Sequence, residues 1–267
     1  MTQFDLNDEQ RQIQEMARAF TADAITPHAA EWDEKHIFPR DTIRSAAELG
    51  FGSIYVSEES GGIGLGRLEA ALIMEAMAYG CPSTSAFISI HNMASWMIDR
   101  FGTQAVKDKY LPSLIGMDRI AMMGLDGGRL NIGACSLGGA QRCLDEAVSY
   151  TKERKQFGNP VAEFQNTQFM LADMETDLQA ARMLLYAAAV KVTENAPDKT
   201  RFAAMAKRLA TDSGSRIVDQ ALQLHGGYGY LQDYPVERFW RDLRVHSILE
   251  GTNQIMRVII ARDLLRQ

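Results

Sequence analysis

The stretch Leu171–Val192, LADMETDLQAARMLLYAAAVKV, decides the fold class. Its apolar positions Leu171, Met174, Leu178, Ala181, Leu185, Ala188 and Val192 recur at alternating steps of three and four. That is a helix seam with a 3.5-residue period, running for about 30 Å. Downstream, Phe202, Met205, Leu209, Ser213, Ile217, Ala221 and Leu224 form a matching stripe, closed by Gly226-Gly227. Upstream, Arg129–Lys152 reads as a third long helix, and Thr252–Leu265 as a fourth. Four long helices with short connections predict a four-helix bundle.

The first hundred residues are also helical. Asn7 is placed to cap a helix that opens with Asp8 and Glu9 and buries Ile13, Met16, Ala17 and Phe20 before Pro27. Pro39–Leu49 is a short helix closed by Gly50. Leu68–Tyr79 and Ser83–Phe101 are apolar almost all round and should be central helices of an N-terminal bundle. Thr103 should cap a further helix that Pro112 ends or kinks. Only Phe51–Val56 is strand-like, and it leads into the glycine run Gly61–Gly66. The spacing of that run is not G-x-G-x-x-G and a helix follows it, so a loop is preferred to a dinucleotide-binding turn.

Composition agrees with this class and excludes others. The chain has 267 residues, 46% hydrophobic and 23% charged, with only 7 prolines, which suits a helical globular protein. No apolar run reaches the ~18 residues of a membrane span, so no membrane insertion is expected. The start MTQFDLNDE lacks the basic and apolar regions of a secretory signal. A net charge of −6 with interspersed signs provides no basic footprint for nucleic acid. Cys81, Cys135 and Cys143 read as buried small hydrophobes in a reducing compartment. His28, His36, His91, His225 and His246 are scattered, so no metal site is expected.

Four clusters in the second half could carry chemistry. They are Asp126-Gly127-Gly128-Arg129 at a helix start, the basic and aromatic turn Arg154–Pro160, the helix end Gln223–Tyr230, and Ile248–Gln254 with a carboxylate beside a glycine. Singly, each has a bland account. Arg154 could be a helix-end charge, the glycines C-caps, and Glu250 a charge favoured by a helix dipole.

In this order the clusters resemble one family, the acyl-CoA dehydrogenases. The matching strings are RKQFGNP (Arg154–Pro160), LQLHGGYGY (Leu222–Tyr230), YPVERFWRD (Tyr234–Asp242) and EGTNQIMR (Glu250–Arg257). LGFGSIYV (Leu49–Val56), Gly61–Gly66 and SIHNMASWMID (Ser89–Asp99) extend the likeness over essentially the whole chain. The last of these and GLDGGRLNI look most like isobutyryl-CoA or short branched-chain members. The resemblance implies an all-α fold, with an N-terminal helical bundle in residues 1–119 and a C-terminal four-helix bundle in residues 120–267. The family's middle β-barrel domain is missing, because the end of the first bundle runs directly into the third at Arg119-Ile120-Ala121. Its removal should bare apolar surface on both bundles and favour association.

By the same resemblance the chain uses FAD to dehydrogenate a short acyl-CoA to the 2-enoyl-CoA, with Glu250 as the base. Arg154 and Phe157, helped by Gln165, would hold the FAD pyrophosphate and adenine across a subunit interface. Gln223, Gly226 and Gly227 would approach from the other subunit, and Thr252 and Gln254 would line the adenosine portion. Asp126 and Arg129 match positions that meet the CoA moiety, and the Gly251 position borders the substrate. Ser89, His91 and Asn92 would fall near the acyl pocket, although His91 reads equally as a satisfied core histidine. The implied partners are an acyl-CoA substrate, further copies in a homo-oligomer (dimer or tetramer), and electron-transfer flavoprotein as acceptor. The implied location is the bacterial cytoplasm or the mitochondrial matrix. The competing expectation is a catalytically silent helical scaffold that self-associates and binds CoA esters without flavin.

Overall fold

The computed structural model of the chain describes residues 5–119 and 128–266. The proposed junction at Arg119-Ile120-Ala121 therefore falls at the edge of, and mostly outside, the described residues. Helix α1, Asp8–Phe20, starts as its sequence dictates: the Asn7 side chain accepts from the Gln10 N–H, and the Gln10 side chain accepts from the Asn7 N–H. This reciprocal capping box satisfies two of the helix's orphan donors. A π-helical turn, Thr21–Ile25, follows, then α2 (Ala29–Glu34) and α3 (Arg40–Glu48). Helices α4 (Arg67–Gly80) and α5 (Pro82–Phe101) are the buried centre of the first half. In α6 (Gln104–Ile115), Pro112 neither ends nor breaks the helix, which continues for three residues beyond it. Because the helix stops within the next turn, only one backbone bond is lost.

The second half opens with α7 (Gly128–Glu153) and a two-residue hairpin, β1 (Lys155–Gln156) paired antiparallel with β2 (Asn159–Pro160). Then come α8 (Gln165–Thr193), α9 (Lys199–His225), α10 (Val236–Arg244) and α11 (Asn253–Leu264). The hairpin provides the only strands among the described residues. The chain is all-α, as the residue periodicities require.

Two expectations are corrected. Phe51–Val56 is a buried run of turns rather than a strand. Its backbone bonds run to local turns, to the Ile63–Leu65 backbone and to α5 side chains instead of a regular ladder. Asn92 Oδ1 accepts from the Ile54 N–H at 2.7 Å, Asn92 Nδ2 donates to the Phe51 carbonyl at 2.6 Å, and Asp99 Oδ2 accepts from Ser57 N–H at 2.9 Å. Ser89, His91 and Asn92 are accordingly fully buried within the first bundle, where His91 Nε2 bonds the Leu114 carbonyl. His91 is thus a satisfied core histidine.

The second correction concerns α9. Its first half buries Ala203, Ala206, Lys207 and Ala210, while Phe202, Met205 and Leu209 are only half-buried. The partner explains this rotation. Helix α7 is buried continuously from Leu130 to Ala140 through LNIGACSLGGA, and small residues on both helices let their backbones approach. On its other side α7 meets α4 so closely that a Cβ at Gly138 would lie 2.1 Å from the Glu75 carbonyl oxygen. One apolar core consequently runs through both halves, from Phe51, Ile73 and Met77 to Leu137, Met174 and Leu185. Polar ties cross it as well: Arg182 Nε donates to Glu75 Oε1 at 2.7 Å and Tyr186 Oη to Glu75 Oε2 at 2.8 Å. Some large apolar side chains remain in solvent, namely Met97, Phe101 and Val106 on α5 and α6, and Val245, Ile248 and Ile255 flanking Glu250.

Candidate active site

Helices α7 and α9 lie side by side and run the same way: Gly133 faces Lys207 and Ala210, Ser136 faces Gly214, and Tyr150 stacks on His225. The candidate residues gather at the two ends of this pair.

At the first end, Glu250 sits between a short 3₁₀ turn (Val245–Ser247) and α11, with φ +58°, followed by Gly251 at φ +90°. A non-glycine residue in the left-handed region is strained and persists only where its surroundings hold it. Glu250 is buried, and its carboxyl lies against the first residue of α7. A Cβ at Gly128 would come within 2.2 Å of Glu250 Cδ, so a larger residue there would displace this carboxyl. Below it, the fully buried Lys207 donates from Nζ to the Gly251 carbonyl at 2.9 Å and to Asn253 Oδ1 at 2.8 Å. Asn253 Nδ2 donates onward to Thr211 Oγ1 and Asp212 Oδ1. Desolvation pushes the Lys207 ammonium down to about 8, partly opposed by the charges of Asp212 and Glu250. Behind α7, Ser136 Oγ and His246 Nδ1 are 2.8 Å apart, and burial pushes His246 down to about 4.

Arg129 is half-buried on the opening turn of α7, next to Gly128. Thr252 Oγ1 accepts from the Ile255 N–H and so caps α11, while Gln254 is exposed on the first turn of that helix. Asp126 lies outside the described residues.

At the other end, Arg154, Gln223, Gly226 and Gly227 line one groove of about 470 Å³, with Tyr150 and Tyr228. The expected division of these four between two subunits is thereby corrected: a single chain brings them together. The reason is local. Helices α7 and α9 stop side by side, the first at a hairpin and the second at Gly226 with φ +60°. A Cβ added at Gly226 or Gly227 would meet nothing within 4 Å, so this backbone is open to an approaching ligand. The Arg154 guanidinium stands 5.3 Å from the centre of the Tyr228 ring. Tyr150 stacks on His225 at 4.4 Å and meets Tyr234 edge-on at 5.5 Å, forming an aromatic floor. His225 is buried and kept neutral. Its Nδ1 bonds the Ala221 carbonyl, while Nε2 has no partner within the protein. Phe157 occupies the hairpin tip with φ +52°, beside Gly158 at +86°, and is 93% exposed. Paired positive values are those of a type I′ turn, in which Asn rather than a bulky aromatic is the usual first residue. Gln165, the first residue of α8, is exposed and outside the groove lining.

Sequence reasoning missed Lys207, Asn253, Tyr150 and the role of His225. Tyr150 stands one helical turn before Arg154, and His225 directly precedes the glycine pair, so both were within reach of spacing. A buried lysine had no such signal, because lysine is almost never fully buried.

Residues 116–265 match the acyl-CoA dehydrogenase C-terminal domain, and residues 7–118 match the N-terminal domain of the same family. The chain is 37% identical to the mitochondrial isobutyryl-CoA dehydrogenase of Dictyostelium discoideum, covering 97% of this chain and 90% of that protein. The alignment extends over 373 positions, whereas the chain has 267 residues, so a long internal stretch of the relative has no counterpart here. Among solved structures, butyryl-CoA dehydrogenase from Megasphaera elsdenii superposes with a TM-score of 0.92 at 26% identity, covering 99% of this chain and 100% of that one. A second, described under the electron transferring flavoprotein of Acidaminococcus fermentans, superposes with a TM-score of 0.94 at 28% identity over 100% of both chains. The chain belongs to the acyl-CoA dehydrogenase family.

Proposed function

We propose that the chain dehydrogenates a short, branched acyl-CoA across its Cα–Cβ bond, with Glu250 as the base. The observation that carries this is the buried Glu250 carboxyl, held on a strained left-handed turn against the first residue of a 26-residue helix. FAD is the family's cofactor and, when bound, takes up the hydride from Cβ. The residues present fit its dinucleotide end. Arg154 supplies an exposed guanidinium suited to a diphosphate. Gly226 and Gly227 supply bare backbone, and His225 Nε2 a buried acceptor without a protein partner.

The chain's own part in the reaction is proton removal. The Cα–H of a thioester becomes acidic when its carbonyl is polarised, since the negative charge then moves to oxygen. Glu250 takes that proton as the Cα–Cβ double bond forms and hydride leaves Cβ. The Glu250 N–H is the expected donor to the thioester carbonyl. Arg129 and Asp126 serve the CoA moiety, and Gly251 borders the acyl group. The preference for a short branched acyl group rests on the likeness to the Dictyostelium enzyme.

The groove and Glu250 do not meet within one chain. Lys207 and Gln223 are sixteen residues apart on α9, about 24 Å along its axis. Each complete site is therefore shared: Arg154, Phe157, Gln223, Gly226 and Gly227 of one copy come to the Glu250, Thr252 and Gln254 end of another. The protein is then a homo-oligomer, with electron-transfer flavoprotein as electron acceptor. Incubation with FAD, gel filtration and a visible spectrum test this, with light scattering on the same peak. Flavin co-eluting with a dimer or tetramer is expected, and isobutyryl-CoA should bleach it faster than straight-chain or long acyl-CoA. A monomer without flavin would refute it. The missing internal stretch is the observation that favours the silent scaffold, which predicts an oligomer that binds CoA esters with no flavin band.

A further inference from the structure

We propose that Lys207 is a positioning residue for Glu250: its buried ammonium fixes the left-handed Glu250–Gly251 turn through the Gly251 carbonyl and holds the Glu250 carboxyl in its proton-accepting form. The proposal rests on the reading of Glu250 as the base.

Lysine is almost never fully buried unless it is paired. Here both bonded acceptors of Nζ, the Gly251 carbonyl and Asn253 Oδ1, are neutral. A buried ammonium bonded only to neutral groups is costly, and nearby negative charge must compensate. The charged groups that face it come from four directions. Asp212 on α9 and Glu250 on the turn attract it, Arg129 on α7 repels it, and His246 on the 3₁₀ turn feels its charge. His246 is kept neutral by burial, so it does not compete as a cation. Asp212 is already shared with Arg208 at 3.6 Å and Arg257 at 3.8 Å, in addition to its bond from Asn253. Glu250, next to the Gly251 carbonyl that Nζ bonds, is the second carboxyl whose charge couples to the lysine.

The geometry gives the same lysine a mechanical part. Gly251 has φ +90° and Glu250 φ +58°, and Asn253, the first residue of α11, is bonded to Nζ as well. One side chain thus ties α9 to both the turn and the helix behind it. Without this tie the strained turn can relax, and the carboxyl is no longer pinned against Gly128.

The test uses the flavin-free chain. Carboxyl carbon-13 NMR follows the titration of Glu250, its signal assigned by disappearance in Glu250→Gln. In Lys207→Met the Glu250 midpoint should rise by about one pH unit or more, and Lys207→Arg should restore most of the difference. A Glu250 midpoint in Lys207→Met within about 0.3 unit of the parent overturns the proposal. The reciprocal measurement does not depend on the folding of Lys207→Met. Linkage requires the Lys207 midpoint to fall by a comparable amount in Glu250→Gln, and an unchanged Lys207 midpoint there also overturns the proposal. Failure of the base reading is distinguishable, because it shows as flavin bleaching by Glu250→Gln at the parent rate, whatever the midpoints do.

Discussion

The two ends of the α7–α9 pair solve different problems with similar materials. At the first, Glu250, Lys207 and Asn253 are buried, and Lys207 and Asn253 are fixed by bonds within the chain. At the other, Arg154, Phe157, Gln223 and the Gly226-Gly227 backbone stand in solvent around an aromatic floor. A proton-transfer group needs a fixed position in a dry place, so its surroundings are completed by the chain itself. A cofactor-binding edge has to open onto its ligand, which is the arrangement the proposed function requires of the groove. On the proposed reading, exposure at one end and burial at the other are two halves of one site.

The sharpest way to break this comparison is Glu250→Gln. The amide keeps size and polarity but cannot take the α-proton, so flavin reduction by acyl-CoA should slow by about 10²–10⁴-fold with flavin content unchanged. Anaerobic stopped-flow absorbance reads this directly. A rate within about threefold of the parent would reduce Glu250 to a helix-terminal charge.

The next effect is on acid stability, and it is largest at the buried end. His246 takes a proton in the unfolded chain near 6.5 but in the folded chain only at about 4. Its contribution is complete above pH 6.5 and is lost as the pH falls through that window, by an amount on the order of 3 kcal/mol. Lys207 has the same sign at higher pH, with stability gained as the pH rises from about 8 toward the unfolded value of 10.5. Urea midpoints at pH 7 and pH 5 check the first window. Equal midpoints there contradict a buried neutral His246.

At the open end, reversing the charge with Arg154→Glu should weaken FAD binding by about 10²-fold or more, because a charge-assisted bond to the diphosphate is lost and repulsion takes its place. The same change should leave the unfolding free energy within about 0.5 kcal/mol of the parent, as for an exposed position. Quenching of flavin fluorescence measures the first quantity, and undiminished affinity would remove Arg154 from the cofactor site. The smallest effect separates structure from chemistry at Thr252. Its Oγ1 caps α11, so Thr252→Ala should cost about 1 kcal/mol of stability, visible in the same denaturation experiment.

How much of this was legible depended on whether a residue's partner was near in sequence. The helices follow from period and caps: Asn7 with Gln10, and the Met174–Ala188 seam of α8, lie where the chain places them. Phe51–Val56 misled because the Ile54 N–H and the Phe51 carbonyl bond Asn92, about forty residues away, while its other bonds close turns or meet Ile63–Leu65. The stripe on α9 misled because hydrophobicity favoured Phe202 and Met205, while packing against the glycine-rich face of α7 selects Ala203, Ala206 and Ala210. The motif residues of the site were readable as strings, and four of them do share one groove. That the turn after Glu250 is bonded to a buried lysine was not readable, since Lys207 and Gly251 are joined only by the fold.

The most direct test of the central claim, that one site is built from the groove of one copy and the Glu250 end of another, is complementation between two inactive variants. Glu250→Gln retains the groove and Arg154→Glu retains the base. Co-refolded with FAD and mixed anaerobically with isobutyryl-CoA, the pair should bleach flavin that neither variant bleaches alone. A mixture as inert as its components, in chains that do associate, would contradict a shared site.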